Sequence, residues 1–101
     1  MLGVLVGLDG DEEGEVYTVG DGRTRLGRSE TCDVVFRSGS LRFSREHAEI
    51  VHDGGLFVVA SLADQNPIFV NGKAVDGAEL KDGDALRLGR TTFRFRTIEG
   101  P

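Results

Sequence analysis

Apolar and polar side chains alternate along most of the chain with the period of two that is typical of β-strands. The first such strand places four apolar residues on one face: Leu2, Val4, Val6 and Leu8. A last strand alternates Phe93 and Phe95 with arginines. Further strand-like runs lie between them, at residues 15–19, 23–27, 34–36, 47–52, 56–60, 68–70, 74–75 and 85–88. None of these runs is as long as an ordinary helix.

Glycine-rich breaks separate the predicted strands. They occur at residues 52–55, 71–72, 81–84 and 89–90, with a loop at residues 9–14. Asn71-Gly72 supplies the positive φ angles of a tight hairpin turn. About ten or eleven short, mostly antiparallel strands result, and this number at this spacing predicts an all-β, two-sheet β-sandwich.

The length of the chain and its composition favour one globular domain. The 101 residues, 39% of them hydrophobic and 29% charged, suit a single domain over residues 1–101. We expect an intracellular, cytoplasmic protein, because no basic residue precedes the first apolar run and no run approaches the roughly 20 residues of a membrane span. Cys32 is the single cysteine, which excludes an internal disulfide.

Acidic and basic residues are separated along the sequence. The net charge is −5, and five acids fall within residues 9–15. Residues 23–45 instead hold six arginines against Glu30 and Asp33, a local excess of four positive charges. The acidic total therefore hides a basic segment that could meet an anionic partner.

Three segments combine turn residues with side chains that bind anions or peptides. They are residues 26–29, 43–48 and 64–72. The first has Arg28 after a glycine, the second has Ser44 and Arg45, and the third has Asn66. Since loops at one end of a β-sandwich commonly carry its function, we expect these segments to form a site together.

These motifs and their order resemble those of forkhead-associated (FHA) domains. The resemblance spans about residues 16–98 and rests on Gly27-Arg28, residues 32–35, Ser44-Arg45-Glu46-His47-Ala48, Asn66 with residues 70–72, residues 80–84, and Leu88-Gly89. It implies an eleven-stranded sandwich whose apical loops bind a phosphothreonine peptide. It also implies a preference for threonine over serine, through a small apolar niche for the γ-methyl group.

The resemblance assigns expected roles to eight residues. Those expected to bind the phosphopeptide are Arg28, Ser44, Arg45, Gln65 and Asn66, and those expected to support the site are Gly27, His47 and Asn71. Arg28 and Ser44 would contact the phosphate, whereas Asn66 would hydrogen-bond the peptide backbone. These residue types suit a phosphothreonine, which brings roughly −1.5 to −2 charges and three acceptor oxygens.

Other functional classes fit the sequence less well. A Ser44–His47 hydrolase lacks an orienting acid and a nucleophile-elbow motif, and the cysteine and histidines have no usual metal-ligand spacing. Nucleic-acid binding is disfavoured by the acidic charge and by the lack of an aromatic stacking platform. We therefore predict a non-enzymatic, monomeric module without cofactor, alone or within a larger protein, that binds a phosphothreonine protein or peptide and neither nucleic acid nor membrane.

A second interpretation is a degenerate FHA-like domain that acts as a phosphate-independent interaction or scaffold module. Where the family commonly has Ser-x-Asn-Gly-Thr, this chain has Asp64-Gln65-Asn66-Pro67-Ile68. Asp64 adds a negative charge near the expected phosphate, and Pro67 removes a backbone N–H and restricts Asn66 to extended geometry. The loop at residues 37–42 also has one residue more than the family pattern. Both interpretations remain open on the sequence alone.

Overall fold

Eleven β-strands make up most of the computed structural model, which describes residues 1–36, 43–64 and 66–99. The strands are β1 (Leu2–Gly7), β2 (Val16–Val19), β3 (Gly22–Gly27), β4 (Val34–Val35), β5 (Ala48–Asp53), β6 (Leu56–Ser61), β7 (Ile68–Val70), β8 (Lys73–Val75), β9 (Gly77–Leu80), β10 (Ala85–Leu88) and β11 (Thr91–Ile98). One 3₁₀ turn lies at Gly10–Glu12. Within these ranges there is no helix that could cross a membrane.

The strands form two sheets, as the alternation predicts. The six-stranded sheet has the order β2-β1-β11-β10-β7-β8, and the five-stranded sheet has the order β4-β3-β5-β6-β9. The pairs are antiparallel except for β3 and β4. The first and last strands are neighbours, with Leu2 opposite Ile98. The predicted all-β sandwich is confirmed, with one strand, β9, that the sequence pattern did not indicate.

The first strand buries the face that carries its glycines. Gly3, Leu5 and Gly7 point inward and are buried, whereas Leu2 and Leu8 are exposed. A side chain at position 3 would lie within about 3 Å of the Phe57 and Phe95 rings, so the space inside is already filled. The four alternating apolar side chains of the first strand therefore lie on the outer face of the sheet.

Two buried phenylalanines fix the ends of the connection between β4 and β5. Phe36 and Phe43 lie at the two sides of residues 37–42, with ring centroids 4.3 Å apart. Phe36 also stacks on Phe93 of the other sheet at 5.2 Å. Burying such a ring contributes roughly 1.5–3 kcal/mol, so the position of Ser44, directly after Phe43, is set by the core.

Candidate functional site

Three loops meet at one end of the sandwich, which we call the apical end; their described residues are 28–33, 43–47, and 62–64 with 66–67. Backbone hydrogen bonds join them, from Arg28 N to the Ser44 carbonyl at 3.1 Å, from Ser29 N to the Arg45 carbonyl at 3.0 Å, and from Leu62 N to the His47 carbonyl at 3.0 Å. Main-chain groups make these bonds, so this part of the connection between the loops does not depend on the side chains that could contact a ligand.

The junction of the first two loops requires glycine at position 27. A Cβ atom on Gly27 would lie 2.2 Å from the Arg45 carbonyl oxygen and 3.0 Å from the Cys32 sulfur. Beside it, His47 N donates to the Leu26 carbonyl at 2.9 Å. A larger residue would push the Arg45 backbone away, so Gly27 has a supporting position beneath the site.

Arg28 is anchored through one nitrogen, which leaves its remaining donors available. Its Nε donates to the Phe43 carbonyl at 3.1 Å, and the side chain is half-buried. Arg28 forms no ion pair with any residue in the described ranges. The guanidinium therefore presents a fixed, uncompensated positive charge at the apical end, the arrangement that suits a phosphate.

Ser44 and Asn66 are joined directly. Asn66 Nδ2 donates a hydrogen bond to Ser44 Oγ, and both side chains are half-buried. Since the serine oxygen accepts this bond, its own hydroxyl proton is free to be donated to a ligand. A turn in which Asn66 N donates to the Ala63 carbonyl at 3.2 Å brings Asn66 to this position, and Pro67 does not prevent it.

His47 braces the site from below. It is fully buried, and its Nδ1 accepts a hydrogen bond from Ser44 N at 3.2 Å, so the neutral ring carries its proton on Nε2. Burial lowers the pKa of His47, and the nearby backbone carbonyls of Pro67 and Asn66 oppose that shift. Nε2 has no hydrogen-bond partner among the described residues. A neutral histidine thus holds Ser44 while remaining out of reach of a ligand.

Two of the acids near the site are occupied elsewhere. Glu46 pairs with Arg25 at 3.3 Å, and Asp33 accepts a hydrogen bond from Arg25 N at 2.9 Å. Arg45 and Asp64 are exposed, and neither forms an ion pair with a described residue. Because Glu46 is paired with Arg25, it does not compensate Arg28 or Arg45 at contact distance.

Asn71, for which the sequence predicts a supporting role, is not among the side chains that the structure brings together here. It lies at the opposite end of β7 from Asn66, in the hairpin turn that the sequence predicts, with φ of 51°. There its Nδ2 donates to Asp84 at 3.0 Å and its Oδ1 accepts from Ala85 N at 3.0 Å. Asn71 therefore stabilises the turn and the start of β10.

Two other expectations concern Gln65 and the extra residue at 37–42, and both lie outside the described residues. Cys32 is buried beneath the site and donates from its sulfur to the Arg45 carbonyl at 3.2 Å. Burial raises the pKa of its thiol, with Glu46 as the next cause, so the cysteine is held in its neutral form. Its role in the described structure is to support the Arg45 backbone.

A cavity of about 320 Å³ adjoins Asn66, and no local sequence pattern indicates it. It is lined by Asn66, Pro67, Phe69, Arg87, Gly89 and Arg90. Arg87 and Phe69 are directly opposite each other on β10 and β7. The alternation Leu86-Arg87-Leu88 predicts that Arg87 faces outward, but only the strand order shows what it faces.

Comparisons with known proteins identify the type of domain. The sequence model of the family described as FHA domain matches residues 24–89. The chain is 36% identical over 93 residues to the FHA domain-containing protein FhaA of Mycobacterium tuberculosis, a match that covers 92% of the chain and 17% of FhaA. The chain therefore spans about a sixth of the length of that relative.

Solved structures agree in fold. One, from a structural and functional study of phosphothreonine-dependent FHA domain interactions, superimposes with a TM-score of 0.86 at 29% identity, covering 98% of this chain and 99% of that one. Another is Mycobacterium tuberculosis EmbR in complex with a low-affinity phosphopeptide, with a TM-score of 0.84 and 29% identity, covering 99% of this chain and 25% of that one.

Proposed function

The chain belongs to the FHA domain family, and from that premise we propose that it is a phosphothreonine-binding module that mediates phosphorylation-dependent protein–protein interaction. The observation that carries the proposal is the convergence of Arg28, Ser44 and Asn66 at the apical end, with the guanidinium unpaired among described residues and the serine proton free. The proposal includes two expectations from the sequence, a single domain over residues 1–101 and binding without catalysis.

The geometry suggests a different role for each of these side chains. The terminal nitrogens of Arg28 and the hydroxyl of Ser44 would donate to phosphate oxygens, and Arg45 would add a cation at the exposed rim. The side-chain oxygen of Asn66 would accept a hydrogen bond from the peptide backbone. Each charge-assisted hydrogen bond contributes about 1.5–3 kcal/mol net. Two or three of them, less the entropy of ordering a peptide, give a Kd on the order of micromolar.

The phosphate-independent alternative depends on Asp64 and Pro67. The hydrogen bond from Asn66 to Ser44 weakens the case from Pro67, because the asparagine reaches the serine in spite of the proline. The exposed Asp64 has no ion-pair partner among the described residues, so its charge still opposes a phosphate at close range. A direct comparison of phosphorylated and unphosphorylated peptides separates the two functions.

Calorimetric titration with matched phosphothreonine, phosphoserine and unphosphorylated peptides, taken from an oriented library, tests the proposal. We expect micromolar binding of the phosphothreonine peptide, weaker binding of the phosphoserine peptide and no measurable binding of the third. Equal binding of all three peptides would exclude phosphate recognition and favour the phosphate-independent module.

Replacing Arg28 tests the assignment of the site. We expect Arg28→Ala to weaken phosphopeptide binding by about 2 kcal/mol, roughly thirtyfold in Kd, because a charge-assisted contact is lost. Thermal stability should change little, since the side chain of Arg28 forms one hydrogen bond with a described residue, to the Phe43 carbonyl, and the backbone bond to Ser44 is kept. Arg23→Ala, an exposed arginine at the far end of β3, is the matched control. If Arg28→Ala unfolds instead, Arg28 is a structural residue and the assignment is wrong.

A further inference from the structure

The cavity beside Asn66 lies on the outer face of the six-stranded sheet, next to the candidate phosphopeptide site. Ile68 and Leu88 are opposite each other and buried, so the residues that follow and precede them, Phe69 and Arg87, face outward. Gly89 and Arg90 form the turn between β10 and β11 at the apical end. The cavity therefore opens at the same end of the molecule as the three loops.

Arg87 is held in place without using its donors. Its guanidinium carbon lies 4.1 Å from the centre of the Phe69 ring, a cation–π contact. Neither Arg87 nor Arg90 forms an ion pair or a side-chain hydrogen bond with a residue in the described ranges. An arginine stacked on an aromatic ring keeps its N–H groups directed outward, and it loses less side-chain entropy when it binds an anion.

Two acidic residues of the connection between β1 and β2 make other contacts. The connection between β1 and β2 lies against the start of β11, where Asp9 accepts a hydrogen bond from Thr92 N at 2.9 Å. Glu12 is buried and accepts a hydrogen bond from the Tyr17 hydroxyl. No carboxylate of the described chain therefore compensates the two cavity arginines at contact distance.

Asn66 connects the cavity to the candidate phosphopeptide site. Its side chain bonds Ser44, and the same residue lines the cavity together with Pro67. Asn66 belongs to both surfaces, so a peptide that places its phosphate at Arg28 and its backbone at Asn66 already touches the edge of the cavity. An extended chain advances about 3.3 Å per residue, so neighbouring residues of that peptide can reach the cavity. The two surfaces are thus close enough to bind neighbouring residues of one peptide.

The geometry points to a second subsite, in which Arg87 and Arg90 bind the carboxylate side chain of an aspartate or glutamate in the same phosphopeptide. This inference rests on the proposed function, because the peptide must first be held at Arg28, Ser44 and Asn66. The planar guanidinium of Arg87 matches a carboxylate with two parallel hydrogen bonds. Phe69 and Pro67 would contact the methylene groups of the bound acidic side chain.

A scan combined with a double-mutant cycle tests the subsite on the full chain. Starting from a phosphothreonine peptide that binds, aspartate is compared with asparagine at each flanking position by calorimetry. The position with the largest gain is then measured against wild type, Arg87→Gln and Arg90→Gln. Arg23→Gln, at the far end of β3 on the other sheet, controls for the change in net charge. Thermal melts check that each variant is folded.

We expect aspartate to improve binding at one or two positions only, by about fivefold, as for a partly exposed ion pair. Arg87→Gln should abolish that gain and Arg90→Gln should reduce it, whereas Arg23→Gln should keep it. Both cavity variants should still prefer the phosphorylated peptide. An equal gain at every position, or a gain that survives Arg87→Gln, would overturn the subsite while leaving phosphothreonine binding intact. Loss of phosphate dependence in wild type would overturn both proposals.

Discussion

The two ends of the sandwich differ in how their charged and polar side chains are paired. At the basal end, which holds the turns at 53–56, 71–72 and 81–84, polar side chains bind one another: Asp82 pairs with Arg96 at 3.2 Å and Asp84 accepts from Asn71. At the apical end, Arg28, Arg45 and Arg87 form no ion pair with a described residue. Among the described residues, the basal end thus pairs several of its charged and polar side chains, whereas these three apical arginines have no acidic partner.

Each end also contains one buried histidine, and the two differ in what they face. His47 at the apical end accepts a backbone N–H and is enclosed by the loops. His52 at the basal end stacks on Phe57 at 3.9 Å, and its Nδ1 lies 3.0 Å from the Asp21 carboxylate. The apical histidine thus positions a residue of the site, whereas the basal one packs against the core beside an acid.

The largest expected effect comes from adding a side chain beneath the apical loops. Gly27→Ala should lower the free energy of unfolding by at least about 3 kcal/mol and abolish phosphopeptide binding, because the new methyl group would meet the Arg45 carbonyl. Urea unfolding and calorimetry measure the two effects. Gly20→Ala is the control, since nothing lies within 4 Å of a Cβ at that position. A stable Gly27→Ala variant would mean that the loops are not tightly joined.

A variant of the basal end should separate stability from binding. Asn71→Gly keeps the positive φ of the turn but removes both side-chain hydrogen bonds, so we expect a loss of about 1–2 kcal/mol in unfolding free energy. Phosphopeptide affinity should stay within about twofold, as for a mutation far from the ligand. Asn66→Ala should do the reverse, losing affinity with little change in stability. Reduced binding by a stable Asn71→Gly variant would place Asn71 back in the site.

The smallest expected effect is a pH dependence that originates at the apical end. Because burial lowers the pKa of His47 in the folded state, the unfolded chain binds more protons just below its ordinary value of about 6.5. Stability should therefore be complete above that pH and fall below it, by less than about 1.4 kcal/mol per pH unit.

Urea unfolding of wild type and His47→Gln at pH 7.5, 6.5 and 5.5, without peptide, measures this contribution. The carboxylates titrate in both proteins, so the difference between them isolates the histidine. We expect the stability advantage of wild type to shrink as the pH falls. Parallel pH profiles would contradict the prediction, since they would mean that His47 binds protons equally in both states.

The sequence predicted the fold better than it predicted which surfaces are buried. Alternation and turn residues indicate ten of the eleven strands, because each is a local pattern. The exception is β9, Gly77–Leu80, which lacks β-branched and aromatic residues and is a strand because it pairs with β6. Alternation also cannot tell which face of β1 is inside, and Gly3 and Gly7 lie inside because rings and backbone from elsewhere in the chain fill the space.

The candidate site could be predicted in part for a similar reason. Arg28, Ser44 and Asn66 lie in motifs with a defined order, and the structure brings them together. The position of Asn71 at the basal end depends on the direction of β7, which no local pattern gives. The cavity with Arg87 and Phe69 depends on β7 and β10 being neighbours, a contact between residues distant in sequence.

The pairing of the first strand with the last has a consequence for how this domain can be built into a longer chain. Leu2 and Ile98 are opposite each other at the basal end, so polypeptide joined to either terminus would leave from the pole away from the apical loops. Such a domain can be inserted between other segments as a unit, with both attachment points close together. Attachment at the basal end would thus leave the apical loops accessible from solution.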